Sequence, residues 1–241
     1  DNLFSELLAS DDEDEVMWRG GQRLVHRFNA QAGQPASEKA IASYPCQLRI
    51  GDSAGVEELH YQTKPRAALA HGEVEIEVIA SGLNFSDVMK ALNLYPGLPN
   101  GPVDLGAECS GKIVRASDGS RFRVGDEVIA IAPGAFGTRV IVNDVLVARK
   151  PSNLPHEEAA AIPVAFLTAH YALNECARIR SGESVLIHAA SGGVGLAAIQ
   201  LAKIAGAEIY ATAGTEEKRQ LVSEQGAIKV MDSRSLAFAD E

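Results

Sequence analysis

A glycine-rich turn constrains this chain more than any other feature of its sequence. The residues Ala190-Ser191-Gly192-Gly193-Val194-Gly195 follow the apolar run 184–189 and precede the apolar stretch 194–205, which ends before Gly206. A short, continuous apolar run predicts a buried parallel strand, and the longer stretch predicts a helix. The turn is therefore expected to connect a strand to a helix, as at the start of a βαβ unit.

The spacing of this turn, A-x-G-x-x-G, is a variant of the fingerprint of dinucleotide-binding sites. Gly192 lets the backbone approach a pyrophosphate, and Gly195 lets the helix pack close to the strand. The N-terminus of the helix offers its N–H groups to the anion. The alternative is a glycine-rich turn in an unrelated α/β domain. We expect the cofactor to be bound by Ser191, Gly192, Gly193, Val194 and Gly195.

The residues after the turn continue the α/β pattern, with strands predicted at 208–213 and 228–231 and a helix at 216–225. An NAD site usually carries Asp or Glu at the end of the second strand, about 20 residues after the glycines. This chain has Ala213-Gly214-Thr215 there, with Lys218 and Arg219 just beyond. A hydroxyl and an ammonium suit a 2′-phosphate, so the sequence favours NADPH over NADH. Alternatively, Lys218 and Arg219 are only solvated helix residues.

Residues 45–150 predict an all-β, barrel-like domain, because short alternating segments are separated by glycine-containing turns. The clearest strand is 73–78, where Glu alternates with Val or Ile. Further strands are predicted at 47–50, 59–61, 112–116, 127–132 and 138–142, and helices at 157–162 and 168–177. Residues 16–28 predict an extended pair around Gly20-Gly21, after the acidic run 11–15. The expected organisation is a leader at 1–40, a β domain at 41–165 and half of a nucleotide-binding domain at 166–241.

The charge balance excludes several classes of function. With 22 Lys and Arg against 32 Asp and Glu, the formal net charge is −10, and no basic stripe offers a surface to nucleic acid. No apolar run approaches the roughly 20 residues needed to span a bilayer, and no secretory signal is visible at the first residues. The three cysteines form no CxxC pair, which favours reduced thiols and a cytoplasmic location.

Several further segments resemble the enoyl reductase domains of type I polyketide synthases and animal-type fatty acid synthases. These domains belong to the medium-chain dehydrogenase/reductase superfamily. Within it, the sequence most resembles the mycobacterial-type synthases. The segments lie in the order of that family and run from about residue 45 to the last residue: 81–88 (SGLNFSDV), 95–97 (YPG), 105–111 (LGAECSG), 162–169 (IPVAFLTA), 188–195 (HAASGGVG) and 232–235 (DSRS).

This resemblance implies a GroES-like β-barrel substrate domain followed by a Rossmann nucleotide-binding domain, here incomplete at its C-terminal side. It implies NADPH-dependent reduction of trans-2-enoyl thioesters carried on an acyl carrier protein. Neighbouring ketoreductase and dehydratase domains and a homodimeric parent synthase are the implied partners. The length of 241 residues is about a hundred short of a full unit of this family, so activity of this piece alone is not expected.

The resemblance also implies roles for single residues. Tyr95 is the candidate proton donor, although Tyr-Pro-Gly is also a good turn and its ring would then only line the pocket. Asn84 and Thr168 match positions near the nicotinamide or its ribose. Thr215, Lys218 and Ser233 match positions around the adenosine phosphate, with Arg234 as a neighbour able to take the same role. His188 is expected to be structural.

Zinc is not expected. Zinc-dependent relatives place Cys, His and Glu in these loops, whereas this chain has Asn84-Phe85-Ser86-Asp87 and Gly106-Ala107-Glu108. Two of three expected ligands are therefore missing. Two alternatives to the synthase reductase stay open: a quinone-oxidoreductase-like enzyme of the same superfamily acting on free enones, and a non-catalytic structural fragment of a synthase.

Overall fold

The computed structural model describes residues 16–19, 22–25, 45–51, 55–97, 103–236 and 238. The chain divides into two compact units, residues 1–40 and 41–241. In the first unit, β1 (Val16–Arg19) and β2 (Gln22–Val25) form an antiparallel pair, which confirms the predicted extended pair. The predicted turn at Gly20-Gly21 and the acidic run 11–15 lie outside the described residues.

The second unit begins with a β-rich half. Its elements are β3 (Cys46–Ile50), β4 (Leu59–Thr63), β5 (Glu73–Ser81), α1 (Phe85–Ala91), β6 (Glu108–Ala116), β7 (Glu127–Ile131), β8 (Arg139–Asn143) and β9 (Val147–Arg149). The last five strands form an antiparallel sheet in the order β8-β5-β6-β7-β9, and β3 pairs with β4. Buried aliphatic side chains such as Val74, Ile76, Ile113 and Val128 fill the interior of this half.

The α/β half follows the β-rich half. Its elements are α2 (His156–Ala159), α3 (Ile162–His170), a π-helical turn (Tyr171–Cys176), β10 (Ser184–Ile187), α4 (Gly193–Ala205), β11 (Glu208–Ala213), α5 (Glu216–Glu224) and β12 (Lys229–Asp232). The three strands are parallel, in the order β10-β11-β12. Ile187, Ile199, Ile209 and Val222 are buried in a second core between this sheet and its helices.

Three predicted elements differ from the structure. The predicted helix 168–177 is in fact the end of α3 and the π-helical turn, because α3 begins at Ile162 and accommodates Pro163 in its first turn. The predicted helix 157–162 is shorter and ends at Ala159. The predicted strand 184–189 ends at Ile187, and Leu186 is 45% exposed rather than buried.

Helix α2 is held against the β-rich half by a polar contact. The hydroxyl of Ser110, fully buried on β6, lies 2.8 Å from Nδ1 of His156 and donates to the carbonyl oxygen of Val128. Since that hydroxyl proton is used by Val128, Nδ1 of His156 is the donor in the other hydrogen bond. The chain after β9 is thereby fixed where it enters the α/β half.

Among the described residues, no helix has the length and apolar content that crossing a bilayer requires.

Candidate functional site

The glycine-rich turn lies between β10 and α4, as the sequence predicts. Gly192 precedes the first helical residue, Gly193, and its N–H donates to the carbonyl oxygen of Ala189 at 2.9 Å. The N–H groups in the first turn of any helix have no acceptor within the helix, and they carry the positive end of the helix dipole. Residues 192–194 are exposed, so a pyrophosphate can reach these groups.

Gly195 has the packing role that its place in the motif predicts. A Cβ atom at this position would lie 2.6 Å from Cα of Ala190, a distance that real side chains do not adopt. Helix α4 therefore approaches the end of β10 as closely as backbone atoms allow. By contrast, a Cβ atom at Gly193 would meet nothing within 4 Å.

The residues expected at the adenosine end gather where β11 and β12 end. Ala213 and Asp232 are register partners, and the N–H of Ser233 donates to the carbonyl oxygen of Ala213 at 3.2 Å. Thr215 is the N-cap of α5, and its hydroxyl accepts from the N–H of Lys218 at 3.4 Å. The parallel strands thus bring Thr215, Lys218 and Ser233 to one edge of the sheet.

The cations at this edge differ in their availability. The guanidinium of Arg219 is used within the protein: it lies 2.7 Å from Oε2 of Glu216 and 3.6 Å from Oδ1 of Asp232. The side chains of Lys218 and Arg234 are exposed. A Cβ atom at Gly214 would lie 2.9 Å from Nε of Arg234, so that guanidinium covers the end of β11. This placement makes Arg234 a stronger candidate than its neighbour Ser233.

Asn84, expected near the nicotinamide, is the N-cap of α1. Its backbone N–H donates to Oδ2 of Asp87 at 3.0 Å, and Asp87 accepts through Oδ1 from the N–H of Gly106 at 2.9 Å. Its side-chain amide donates to Oε1 of Glu108 at 2.8 Å. Asp87 and Glu108 are both buried. Their carboxylates therefore hold this loop from the interior of the protein.

Glu108 also reaches the α/β half. Its second oxygen, Oε2, accepts from the N–H of Val164 at 2.8 Å, in the first turn of α3. Thr168, the other residue expected near the nicotinamide, is exposed one helical turn further along α3. Glu108 therefore connects the elements that carry Asn84 and Thr168. The sequence interpretation missed this role, although a carboxylate between Ala107 and Cys109 in an otherwise apolar segment was the available signal.

Tyr95 follows α1 and is 41% exposed. Nζ of Lys90 lies 5.6 Å from the centroid of its ring. Tyr95 and Asn84 flank α1, one after its last residue and one before its first. Leu92 and Leu94, close by in sequence, are also exposed.

His188 is exposed and lies just before the glycine-rich turn that contains Ser191. Its Nδ1 lies 3.1 Å from Oγ1 of the fully buried Thr212, and its ring contacts Phe238 edge-on at 5.2 Å between centroids. A structural role for His188 remains a prediction.

An apolar groove of about 380 Å³ lies between the β-rich half and helices α3 and α4. Ile129, Val147, Phe166 and Leu167 are among its lining residues, together with His170. None of the predicted site residues lines it, although Thr168 is next to Leu167 on α3.

Comparison with known proteins agrees with this arrangement. Residues 70–152 match the family model described as alcohol dehydrogenase GroES-like domain, and residues 193–241 match the one described as zinc-binding dehydrogenase. The chain is 37% identical over 247 residues to the phthioceranic/hydroxyphthioceranic acid synthase of Mycobacterium tuberculosis, a match that covers 100% of the chain but 12% of that protein. A second relative, a phenolphthiocerol/phthiocerol polyketide synthase of the same organism, is 41% identical over 254 residues, with coverage of 99% and 12%.

Solved structures resemble the chain in both halves. The CurK enoyl reductase is 40% identical with a TM-score of 0.77, and the match covers 82% of this chain and 62% of that one. Mycobacterial Rv1454c complexed with NADPH is 31% identical with a TM-score of 0.70, with coverage of 78% and 58%. The predicted fold, a GroES-like domain followed by a Rossmann-like domain, is confirmed. By these relatives and by the glycine turn before α4, the chain belongs to the enoyl reductase domains of polyketide synthases, within the medium-chain dehydrogenase/reductase superfamily.

Proposed function

We propose that this domain reduces trans-2-enoyl thioesters, carried on an acyl carrier protein, with NADPH. One observation carries the proposal: a single compact unit, 41–241, holds both the open N-terminus of α4 and the Asn84 loop that Glu108 links to α3. The N-terminus of α4 fits a pyrophosphate. The Asn84 loop offers further polar groups within the same unit. The name of the CurK relative states the same class of reaction for that protein.

NADPH is the preferred cofactor in this proposal. The exposed ammonium of Lys218, the hydroxyl of Thr215 and the guanidinium of Arg234 suit a 2′-phosphate. Asp232 is occupied, because it accepts from the N–H of Arg234 at 2.8 Å and faces Arg219. Glu216 is likewise neutralised by Arg219. No such set of cations is needed to bind the 2′-hydroxyl of NADH.

The chemistry requires two transfers to the carbon–carbon double bond. NADPH, held at the turn that contains Gly192 and Gly195, would supply a hydride for Cβ and become NADP⁺. A proton would be added at Cα, so that the thioester itself is retained. We assign this proton to the phenol of Tyr95. A phenol, with an ordinary pKa near 10, is a competent acid toward an enolate of higher basicity.

Zinc has no part in the proposed reaction, despite the description of one matching family. Asn84 and Ala107 stand where zinc-dependent relatives carry ligands. Both carboxylate oxygens of Glu108 already accept hydrogen bonds. Burial, followed by the charge of Glu108, raises the pKa of the Cys109 thiol to about 12, so no thiolate is offered to a metal. These donors do not fit a zinc site.

The relatives named above are parts of large multidomain synthases, so neighbouring domains are expected. We propose that ketoreductase and dehydratase domains of the same polypeptide supply the enoyl substrate, and that the parent synthase is a homodimer. A ketoreductase leaves a hydroxyl group, and loss of water then forms the double bond that this domain would reduce. The three reactions must therefore follow in the order ketoreduction, dehydration and enoyl reduction.

The proposal is tested by adding crotonyl pantetheine thioester and NADPH to the intact protein and following NADPH oxidation. We expect turnover with the enoyl thioester, none with the saturated butyryl thioester, and a lower kcat/KM with NADH. A small quinone serves as the comparison substrate for a quinone-oxidoreductase-like activity. Retained NADPH binding without oxidation by any enoyl thioester would reject the proposed function, and a preference for the quinone would favour the rival enzyme.

A further inference from the structure

Ala189, immediately before the glycine-rich turn, has a left-handed backbone. Its φ is 48°, in a region that residues with a Cβ atom rarely adopt. Such a conformation persists only where the surrounding structure imposes it. With Ala189 in this conformation, its carbonyl oxygen accepts from the N–H of Gly192 at 2.9 Å and closes the turn. The backbone of Ala189 is therefore part of the geometry of the turn.

Thr212, on the middle strand of the described parallel sheet, holds both neighbours of Ala189. The N–H of Ala190 donates to its carbonyl oxygen at 3.0 Å, and Nδ1 of His188 lies 3.1 Å from its hydroxyl oxygen, Oγ1. Either tautomer of His188 can make the second hydrogen bond, because a hydroxyl both donates and accepts. Thr212 is fully buried on β11, which pairs with β10 on one side and with β12 on the other, so it is a fixed anchor.

The two contacts hold the chain on opposite sides of Ala189. After Ala189, backbone atoms fix Ala190 twice. It donates to Thr212, and a Cβ atom at Gly195 would lie 2.6 Å from its Cα. Before Ala189, β10 has already ended, and the side chain of His188 continues the connection to β11. The hydroxyl of Thr212 is therefore the part of this clamp that a substitution can remove.

The closed turn limits which N–H groups can face an anion. The N–H of Gly192 already donates to Ala189. Those of Gly193 and Val194, in the first turn of α4, remain for a pyrophosphate, and their directions depend on the backbone before them. A turn that already has its bound conformation loses less conformational entropy when a ligand binds.

We propose that Thr212 is a positioning residue, which holds Ala189 in the left-handed conformation through His188 and Ala190 and so preorganises the turn for the pyrophosphate of NADPH. This inference rests on the proposed function, which places NADPH at this turn. Thr212 itself is buried and does not need to touch the cofactor. Its effect on binding passes through the backbone of Ala189.

Three substitutions separate this clamp from the packing of the sheet. Thr212→Val removes the hydroxyl, preserves the branched shape of the side chain and leaves the backbone carbonyl in place. Thr212→Ser keeps the hydroxyl and loses only a methyl group. Ala189→Gly removes the need for the clamp, because glycine adopts the left-handed conformation without steric cost.

The experiment measures the NADPH dissociation constant by fluorescence titration of the intact protein, and hydrogen exchange of the Gly192 amide by NMR without cofactor. We expect Thr212→Val to weaken NADPH about tenfold and to speed this exchange, because the left-handed conformation of alanine then becomes a minor one. Thr212→Ser should stay close to the native protein. Adding Ala189→Gly to Thr212→Val should recover most of the NADPH affinity, which a loss of sheet packing would not allow.

His188→Ala removes the other end of the same hydrogen bond. We expect it to weaken NADPH as much as Thr212→Val does, and the two substitutions together to weaken NADPH no more than either alone. A full effect of His188→Ala in the Thr212→Val background would assign the effect to His188 itself instead of the clamp, and would overturn the inference.

Unchanged NADPH affinity in Thr212→Val, or equal weakening by Thr212→Val and Thr212→Ser, would also overturn it. Should Thr212→Val fold poorly, two exposed positions decide: His188→Ala must weaken NADPH, and Ala189→Gly must restore the affinity in that background. No enoyl substrate enters these measurements. Loss of enoyl reduction with this pattern intact would therefore reject the proposed function only, and enoyl reduction with native NADPH affinity in Thr212→Val would reject this inference only.

Discussion

The side chain of Tyr95 is 41% exposed, with Nζ of Lys90 5.6 Å from the centroid of its ring. Both a proton donor and a residue that only lines a pocket are compatible with this setting. The two roles differ in what the hydroxyl does. In Tyr95→Phe the ring remains and only the O–H is lost, so we expect hydride transfer to continue with kcat lowered by roughly 10- to 100-fold. With an α-methyl enoyl thioester, the configuration at Cα should change or become mixed. NADPH oxidation gives the rate, and chiral analysis of the product gives the configuration.

Tyr61→Phe is the matched control for this prediction. Tyr61 is 64% exposed on β4, a strand that carries no candidate residue, so loss of its hydroxyl should alter neither rate nor configuration. If Tyr95→Phe behaves like this control in both measurements, Tyr95 only lines the pocket.

At the scale of residues, the sequence predicted the packing role of Gly195 but not the buried carboxylates that hold Asn84. Gly195 has its predicted packing role, because a motif with fixed spacing determines backbone geometry. Asp87 and Glu108 were missed as the groups that hold Asn84, since a buried carboxylate and a solvated one look the same in a sequence. Arg234 became a stronger candidate than Ser233 for binding the adenosine phosphate only because the structure places its guanidinium next to Gly214. Side-chain direction at the end of a strand depends on tertiary packing.

The junction of β10 and α4 is the element most sensitive to an added methyl group. Gly195→Ala forces a Cβ atom to 2.6 Å from Ala190, so the helix must move away from the strand. We expect the free energy of unfolding to fall by roughly 1–3 kcal/mol, the usual cost of overpacking. Gly193→Ala, two residues earlier with open space around it, should stay within about 0.5 kcal/mol of the native protein. Urea denaturation without cofactor compares the two variants, and equal stability would mean that α4 does not pack closely on β10.

Strands β5 and β6 carry a cross-strand ion pair that predicts acid sensitivity. Glu75 is 2% exposed and faces Arg115, its register partner, with Arg66 at 2.8 Å on the other side. Burial alone would raise the pKa of Glu75, but hydrogen bonds and charges from Arg115 and Arg66 outweigh it and lower the pKa to about 2. Because the ordinary value is 4.5, this pair stabilises the protein by about 3 kcal/mol above that pH.

This stabilisation must disappear as the pH falls from about 4.5 to about 2, since the unfolded chain takes up the proton first. We expect Glu75→Gln to be less stable than the native protein at pH 7 and nearly equal to it at pH 2. Glu77→Gln is the control, because Glu77 is largely exposed and lies 3.6 Å from Arg139. Urea denaturation across this pH range measures both. A stability difference for Glu75→Gln that does not change with pH would contradict the assigned ionisation.

Among the elements, strands with clear alternation were predicted within a few residues, as β5 and β8 show. Helix α1 was not predicted, because seven residues hold too little periodicity to be recognised. The helix predicted from Thr168 in fact begins at Ile162, and Pro163 lies in its first turn, where proline is tolerated. Edge exposure of β10 depends on which strands pair with it, which no local pattern encodes.

On the scale of the whole molecule, the fold class was predictable because two patterns with different periods follow one another along the chain. The GroES-like and Rossmann-like halves share one compact unit, and the proposed boundary between residues 165 and 166 falls within α3. Hydrogen bonds such as that of Glu108 to Val164 cross between the halves, so we expect them to unfold together. The apolar segment around Glu108 was a signal for burial of its carboxylate, but the sequence did not identify the partner, which is 56 residues away.

The chain divides into residues 1–40 and 41–241, and we predict that the second unit folds and binds its cofactor without the first. Every candidate residue for catalysis or cofactor binding lies in the second unit. Removal of residues 1–40 should therefore leave the urea midpoint and the NADPH dissociation constant of the chain unchanged within error. The comparison is a variant that lacks residues 1–52. This variant also loses β3, and with it the buried Ile50 and the hydrogen bond from the N–H of Leu48 to the carbonyl oxygen of Phe136. That second truncation should lower the midpoint clearly. A comparable loss on removing residues 1–40 alone would show that the leader contributes to the stability of the catalytic unit.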